Sequence, residues 1–267
     1  MVTSRRKAAL AGPLSAYVLH SHPWSETSLI VELLTRERGR LVVAAKGAKR
    51  PYSQLRPVLM PFQRLHVQLG RAPADDSNDV HNLRSAEWAG GVPHIAGAAL
   101  FAGFYANELL LKLLPREDAH APLFDAYSQT LEAMSASDDV ATQLALRAFE
   151  LKLLRELGWL PELSVDTLSA TPVLAAAHYG IGAETGVTVA AAAGIPGVTL
   201  VALEAALSYG GIAAISAAAA PVAAALREPL RKLLQYHLGA TPLRTRRVVQ
   251  GVNKLLIAVP SAASLPT

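Results

Sequence analysis

Basic side chains recur in this chain at a spacing that suits contact with a polyanion. Arg36, Arg38 and Arg40 are two residues apart, so in an extended hairpin their guanidinium groups project to the same side. More cations follow in a segment that glycine and proline keep exposed, namely Lys46, Lys49, Arg50 and Arg56. Such a strip can follow a sugar–phosphate backbone whatever the base sequence, because the attraction comes from neutralising phosphates. The spacing predicts a nucleic-acid-binding surface.

Two aromatic side chains, Trp24 and Tyr52, lie near this strip in the sequence. Each could stack on an exposed base, a contact worth roughly 1–3 kcal/mol. Trp24 has an alternative place in the core of its domain, and the sequence leaves both interpretations open.

A second basic group, Arg244, Arg246 and Arg247, opens the last predicted helix after Pro242. Three cations at the amino end of a helix oppose its dipole, which is unfavourable unless an anion lies there. The group therefore predicts a second phosphate contact. Arginines that are simply solvated are the alternative.

The net charge is divided unevenly along the chain. Residues 1–71 carry +9, residues 72–226 carry −11 and residues 227–267 carry +6, within an overall charge of +4. A basic beginning and end around an acidic middle favour a polyanionic partner for the two ends, since clustered cations attract and neutralise phosphates. Basic ends that only aid solubility are the alternative.

The sequence offers no catalytic or cofactor motif. It has no cysteine, which excludes disulfides, thiol catalysis and cysteine-based zinc or iron–sulfur sites. Nucleophile elbows, P-loops, His-Glu-x-x-His zinc motifs and strand-linked dinucleotide fingerprints are also missing. His20 and His22 would share one strand face, as two metal ligands do, but without a third ligand they are better interpreted as surface histidines. We expect a protein that binds rather than catalyses, with no cofactor and no metal.

Two uncharged stretches, 185–203 and 205–226, reach the length of a membrane span. Both consist largely of alanine and glycine and are broken by proline or glycine, so they lack the Leu, Ile and Phe density of a real span. We predict Ala-rich helices packed on their neighbours, and no membrane contact. Residues 1–7 are basic, but no apolar stretch of secretory-signal length follows, which predicts a cytoplasmic protein.

Period-two alternation and turn residues predict five short strands near the beginning of the chain. They cover residues 14–21, 28–34, 41–45, 62–69 and 80–88. Five such strands within about 80 residues are typical of a small Greek-key barrel of the OB type. An isolated hairpin beside an open sheet is the alternative.

From residue 93 the apolar spacing becomes helical. Helices are predicted over 98–113, around 122–131, over 138–157, and later over 200–209, 229–238 and 243–256. The segment 164–200 is rich in Gly, Thr and Val, is ambiguous, and could hold a small hairpin. The pattern predicts an α+β protein: a five-stranded OB-fold β-barrel in residues 1–90 and an all-helical domain in residues 91–267, with an irregular insertion near 164–200.

Several fragments resemble the RecO recombination mediators. In the predicted strands these are residues 20–28, 39–50 and 61–62, and in the predicted helices residues 103–110, 114–118, 123–124, 147–150, 156–158 and 242–246. Each fragment is short, but their order and spacing together are specific to that family. The resemblance covers roughly residues 14–160 and 229–250.

The resemblance implies an OB-fold with a helical domain, binding of single- and double-stranded DNA, and annealing of complementary strands. It also implies partnership with RecR, and with the C-terminal tail of single-stranded-DNA-binding protein (SSB), in loading RecA, and a location at the nucleoid. Many relatives carry a four-cysteine zinc site in the region of residues 164–200. This chain has no cysteine there, so we expect no zinc. The family also often has a second basic residue after Arg147, where this chain has Ala148.

Arg147 is a candidate contact for the SSB tail. On a helix it is flanked by Leu144 and Leu151, so its guanidinium could lie at the edge of an apolar groove. An acidic tail that ends in a hydrophobic residue fits such a combination. A surface ion pair with Glu150 or Asp139 is the alternative.

Two functions of other classes remain open at this point. One is a nucleic-acid-modifying enzyme that uses an OB-fold as its substrate platform, and it predicts metal-dependent turnover. The other is a protein-interaction adaptor whose barrel binds a peptide, and it predicts no DNA binding at moderate salt.

Overall fold

The computed structural model describes residues 12–70, 80–91, 95–135, 138–190, 194–245 and 248. Five strands form a closed barrel in the order β1-β2-β3-β5-β4: β1 Leu14–Pro23, β2 Leu29–Thr35, β3 Gly39–Ala45, β4 Arg64–Leu69 and β5 Val80–Trp88, with the one-turn helix α1 Leu55–Val58 between β3 and β4. The β3–β5 pair is parallel and the other pairs are antiparallel. The OB-like barrel is confirmed, and the open-sheet alternative is wrong.

Strand β1 shows why the barrel and the helices are joined closely. Leu14, Ala16 and Val18 point into the barrel core, as period two requires. Tyr17 and Leu19, on the opposite face, lie in a second core that they share with the helices. Both faces of this strand are therefore buried, each against a different layer.

A β-bulge interrupts β1 at Leu19. The register with β2 shifts between Val18 and His20, which leaves Leu19 unpaired in the ladder. The freed carbonyl oxygen of Leu19 accepts a hydrogen bond from Nδ2 of Asn107 at 3.0 Å, and Asn107 in turn accepts one from the Tyr127 hydroxyl. A buried amide of the helical region therefore satisfies the polar group that the bulge exposes.

Six α-helices that lie wholly within the described residues follow the barrel: α2 Gly97–Leu113, α3 Ala121–Met134, α4 Asp139–Glu156, α5 Gly197–Tyr209, α6 Ile212–Ala219 and α7 Ala223–Leu238. The predicted N-terminal signal of α4 is confirmed, since the Asp138 carboxylate accepts hydrogen bonds from the backbone N–H groups of Val140 and Ala141. Helix α7 begins six residues earlier than predicted and contains Pro229. Helix α6 is not predicted by the sequence patterns, because its Ala-rich segment has little contrast between polar and apolar faces.

The ambiguous segment 164–200 contains small sheets as well as the expected hairpin. The hairpin consists of β8 His178–Gly182 and β9 Gly186–Val189, which β10 Ile195–Pro196 extends to three strands, while β6 Val165–Asp166 pairs with β7 Thr171–Pro172. Tyr179 and Ile181 are buried in the shared core, and the Tyr179 hydroxyl accepts a hydrogen bond from the N–H of Leu174 at 2.8 Å. Apolar burial and hydrogen bonds hold this segment in a chain without cysteine.

Within the described residues, the uncharged stretch 185–203 forms β9, β10 and the first part of α5, so the prediction of a helix is wrong for the two strands. The stretch 205–226 forms the rest of α5, then α6 and the start of α7. Among the residues described, no helix has both the length and the apolar character needed to cross a membrane. Leu200, Leu203 and Leu207 of α5 are buried in the shared core, which agrees with helices packed on their neighbours.

The outer surface of the barrel packs directly on the helices. Tyr17, Leu34 and Phe62 of the barrel lie in the same core cluster as residues of α2, α3 and α4. The approach is close at Gly103 of α2, where an added Cβ would lie 2.8 Å from a ring carbon of Phe62. The barrel and the helical region therefore form one packed body at this face.

Candidate nucleic-acid interface

One end of the barrel brings together two segments that are separate in the sequence. The register pairs Leu29 with Ala45, so the β1–β2 turn and the segment after β3 leave the hairpin at the same end. The backbone N–H of Lys49 donates to the Thr27 carbonyl at 2.9 Å, and Nζ of Lys49 donates to the Ser25 carbonyl at 2.9 Å. We call residues 24–28 and 46–56 together the distal end.

The distal end carries exposed and unpaired cations. Lys46, Lys49, Arg50 and Arg56 are all exposed. Among the residues that the structure describes, no carboxylate lies within 4.0 Å of any of these four cationic groups. Their charges are therefore free to act on a polyanion from solution.

Aromatic side chains accompany these cations. Tyr52 is 95% exposed and Trp24 is 58% exposed, so the interpretation of Trp24 as a core residue is wrong. An open depression of about 550 Å³ lies beside Tyr52 and is lined also by Gln54, Arg56 and Met60. An exposed ring beside a cation is the arrangement by which single-strand binding proteins hold a base and its phosphate.

Arg36, Arg38 and Arg40 do not belong to this surface. Arg36 and Arg38 lie in the turn between β2 and β3 and not in the extended strand that the prediction assumed, and all three arginines contact residues of the helical region. Arg36 donates to both carboxylate oxygens of Asp125 in α3 at 2.9 Å. Arg38 lies 3.4 Å from Glu117, and His81 contacts the same carboxylate oxygen at 2.8 Å.

Arg40 is the least exposed of the three arginines. Its side chain is 14% exposed and lies 3.0 Å from Glu32, which is 12% exposed and also pairs with Arg116 at 3.2 Å. Nε of Arg40 donates to the Leu114 carbonyl at 3.1 Å. We call Arg36, Arg38 and Arg40 with the acceptors in residues 114–125 the domain junction. The prediction of an exposed DNA strip at these three residues is wrong in its geometry, because acidic groups of the helical region and of β2 already occupy them.

Gly39 shows how close this contact is. Its φ is +70°, and an added Cβ would lie 1.7 Å from the Asp118 carbonyl oxygen. The backbone N–H of Glu117 donates to the Arg40 carbonyl at 2.9 Å beside it. The β2–β3 turn is therefore docked on the loop after α2 through backbone as well as ionic contacts.

The second predicted phosphate site already holds an anion from the chain itself. The Glu108 carboxylate of α2 accepts hydrogen bonds from the backbone N–H groups of Arg244 and Thr245 at 2.8 and 2.9 Å, and from the Thr245 hydroxyl at 2.7 Å. Burial acts to raise the pKa of Glu108, but these bonds and one from Lys112 outweigh it and lower the pKa to about 2. The expectation that an anion lies at this helix start is met by a carboxylate and not by a phosphate.

The side chain of Arg244 is exposed and remains available to a ligand. Arg246 and Arg247, the other members of that group, lie outside the described residues, as does most of the predicted helix 243–256.

Arg147 pairs with Glu150, as the alternative interpretation holds. Glu150 is buried and also accepts a hydrogen bond from the Tyr105 hydroxyl at 2.7 Å. Leu144 is partly exposed, but Leu151 is fully buried in the shared core. The predicted apolar groove beside Arg147 is therefore wrong at Leu151, which faces the protein interior.

The partners of these arginines were not found from the sequence. Asp125, Glu117 and Glu108 have no motif around them, and their importance comes only from the close approach of α2 and α3 to the barrel and to the end of the chain. His20 and His22 are both exposed, and the described part of the chain holds no cluster of three side chains suited to a metal ion.

Comparison with known proteins agrees with this architecture. A family model described as Recombination protein O N terminal matches residues 14–91, and one described as Recombination protein O C terminal matches residues 96–247. A DNA repair protein RecO from Acidovorax ebreus is 45% identical over 256 residues, which cover 90% of this chain and 96% of that protein. Proteins of the same name from Verminephrobacter eiseniae and Variovorax paradoxus are 45% and 44% identical over the same shares of both chains. The chain belongs to the RecO family of DNA repair proteins.

Proposed function

We propose that this protein is a non-catalytic recombination mediator that binds single- and double-stranded DNA at the distal end and anneals complementary strands. The observation that carries the proposal is the group of exposed, unpaired cations at the distal end beside the exposed rings of Trp24 and Tyr52. The family supports a role in DNA repair, and the resemblance implies the finer activities.

Annealing requires no covalent step. Cations that screen the repulsion between two phosphate backbones raise the rate at which strands meet. Aromatic rings that stack on bases hold a strand without engaging its hydrogen-bonding edges, so the bases remain able to pair. The distal end carries both kinds of group, and Tyr52 and Arg56 line the same depression.

The partners implied by the resemblance complete the proposal. With RecR and the SSB tail, the protein would help to load RecA on SSB-coated DNA, and it would be located with the nucleoid in the cytoplasm. We assign no residues to the SSB tail, because Arg147 is paired with Glu150 and Leu151 is buried.

Charge reversal at the distal end tests the proposal. The variant K46E/R50E/R56E should lose at least about a hundredfold in affinity for a labelled single-stranded oligonucleotide at roughly 0.1 M salt, with a flatter salt dependence. A matched control, R84E/R227E/K232E, makes the same change in net charge at three exposed cations elsewhere, none of which has a carboxylate within 4.0 Å among the described residues. Fluorescence anisotropy across a salt series measures both.

Annealing is followed on complementary oligonucleotides, naked and coated with SSB. The distal-end variant should anneal both poorly, and the control variant should retain most of the activity. If the two triple variants lost DNA binding and annealing activity equally, the distal end would not be the DNA-binding site. Divalent-metal-dependent cleavage or modification of the oligonucleotides by the pure protein would contradict a non-catalytic mediator.

A further inference from the structure

Strand β1 extends beyond the barrel as an exposed ribbon. After the bulge at Leu19, residues 20–23 pair only with β2, with His20 opposite Glu32 and His22 opposite Ile30. Strand β4 pairs with β1 only over residues 14–17, so within the described chain the other edge of the ribbon carries no strand. Residues 20–23 are all exposed.

Two imidazole rings lie together on this ribbon. His20 and His22 are two residues apart and share one face, and their ring centroids are 4.3 Å apart in an edge-to-face arrangement. Histidine side chains change charge near neutral pH, so an imidazole that contacts a phosphate can take up a proton on binding. Two adjacent cationic rings repel each other unless an anion lies between or beside them.

The charged groups around His20 do not supply that anion. The His20 ring is exposed but partly covered by the protein, and this partial burial lowers its pKa; the neighbouring His22 and Arg244 lower it further, and Glu32 on β2 acts in the opposite direction. Glu32, however, already pairs with Arg40 and Arg116. The helix start at Arg244 has its own carboxylate, Glu108, which is engaged by backbone N–H groups and by Lys112.

The ribbon is also continuous with the distal end. It runs directly into Trp24, the first residue of that surface. A DNA strand held at the distal end could thus continue along the histidine pair.

We propose that His20 and His22 form a proton-dependent phosphate-binding track that continues the DNA surface of the distal end. This inference rests on the proposed function and deepens it. Phosphate contact favours the protonated imidazoles, so DNA binding takes up protons, and affinity rises as pH falls through the histidine range. A rise of one unit in the pKa of one histidine on binding corresponds to up to about tenfold tighter binding at low pH.

The test compares DNA affinity at pH 6 and pH 8 for the wild type, H20Q/H22Q and H20K/H22K. The wild type should bind several-fold to about tenfold more tightly at pH 6. H20Q/H22Q should bind at both pH values about as weakly as the wild type binds at pH 8. H20K/H22K, which keeps its charge, should bind tightly at both. H66Q is the matched control, because His66 is exposed on β4 of the same barrel.

Calorimetry in buffers of different ionisation enthalpy adds a direct readout. Proton uptake on binding should be present in the wild type and in H66Q and lost in H20Q/H22Q, and urea unfolding should show that all variants are folded. A pH dependence that survives in H20Q/H22Q, or that is absent from the wild type, overturns the track. If the wild type binds DNA neither at pH 6 nor at pH 8, the proposed function itself is wrong. This result differs from DNA binding that is present but independent of pH, which overturns only the track.

Discussion

The distal end and the domain junction carry the same kind of side chain at opposite ends of one β2–β3 hairpin. Six residue steps of about 3.3 Å separate the two ends, roughly 20 Å in all. The arginines of the junction meet Asp125, Glu117 and Glu32, whereas the cations of the distal end meet no carboxylate within the described chain. A run of basic residues in a sequence therefore shows only where positive charge lies. Whether those cations form ion pairs within the protein or remain available to bind a ligand depends on which acidic groups the fold brings near them.

Pairing also changes how much the stability of the fold falls when a cation is removed by mutation. A partly buried pair such as Arg40–Glu32 stabilises the docked position of the turn, and losing one member leaves the other charge uncompensated. An exposed lysine or arginine without a partner contributes little to folding and acts on ligands in solution. The two regions should therefore respond to mutation in different assays.

The largest expected effect is on stability at the junction. Arg40→Met should lower the free energy of unfolding by about 3 kcal/mol, because Glu32 would keep only the more exposed Arg116 and the Leu114 carbonyl would lose its donor. Lys46→Met, at the distal end, should change it by less than about 0.5 kcal/mol. Urea denaturation of the two variants measures the difference, and equal losses would break the comparison.

Glu108 allows the same question to be asked at a third basic group, the helix start at Arg244, where it accepts hydrogen bonds from the backbone. Its pKa is about 2 in the folded chain, against the ordinary value of 4.5, so its contribution is present above pH 4.5 and is lost as the pH falls towards 2. The shift corresponds to at most about 3 kcal/mol. In Glu108→Gln the free energy of unfolding should be lower at pH 7 and should fall less between pH 4.5 and 2. Parallel pH curves for variant and wild type would show that this carboxylate does not anchor the helix start.

Single substitutions separate the two regions by DNA affinity. Arg50→Gln should weaken DNA binding by about eightfold at roughly 0.1 M salt and reduce the salt slope by about 1, because one phosphate contact is lost. Arg38→Gln should leave the salt slope unchanged, since its guanidinium lies against Glu117. Anisotropy titrations at several salt concentrations distinguish the two variants. A reduced salt slope in Arg38→Gln would mean that the domain junction also contacts DNA.

The smallest effect is expected at Arg36 and Asp125, whose side chains are 46% and 45% exposed. Their coupling in a double-mutant cycle should be the weakest of the effects described, because solvent screens an exposed pair. The charge-swapped variant R36D/D125R should recover most of the stability lost by Arg36→Asp alone. A swap that recovers nothing would mean that the pair does not hold the junction.

Local patterns explain why much of the fold is predictable. Alternation in β1, which ends at Pro23, determines a strand by itself, and Asp138 and Gly158 mark the ends of α4, because each signal acts through neighbours in the sequence. The bulge at Leu19 is different: it depends on Asn107, 88 residues away, to satisfy a carbonyl. The start of α7 is mispredicted because Pro229 suits the first turn of a helix, although this helix extends further back to Ala223.

Local sequence patterns are enough to predict the barrel strands, most of the helices, the lack of cysteine chemistry and the two strongly basic regions. They do not predict which cations lack an acidic partner, because that depends on how distant segments pack. Arg36 pairs with Asp125, which is 89 residues away in the sequence, and the backbone N–H of Arg244 donates to Glu108, which is 136 residues away. Lys46, Arg50 and Arg56 contact no carboxylate in the described chain. The physical reason is that an ion pair depends on a distance of a few ångströms, which charge patterning along the chain does not contain.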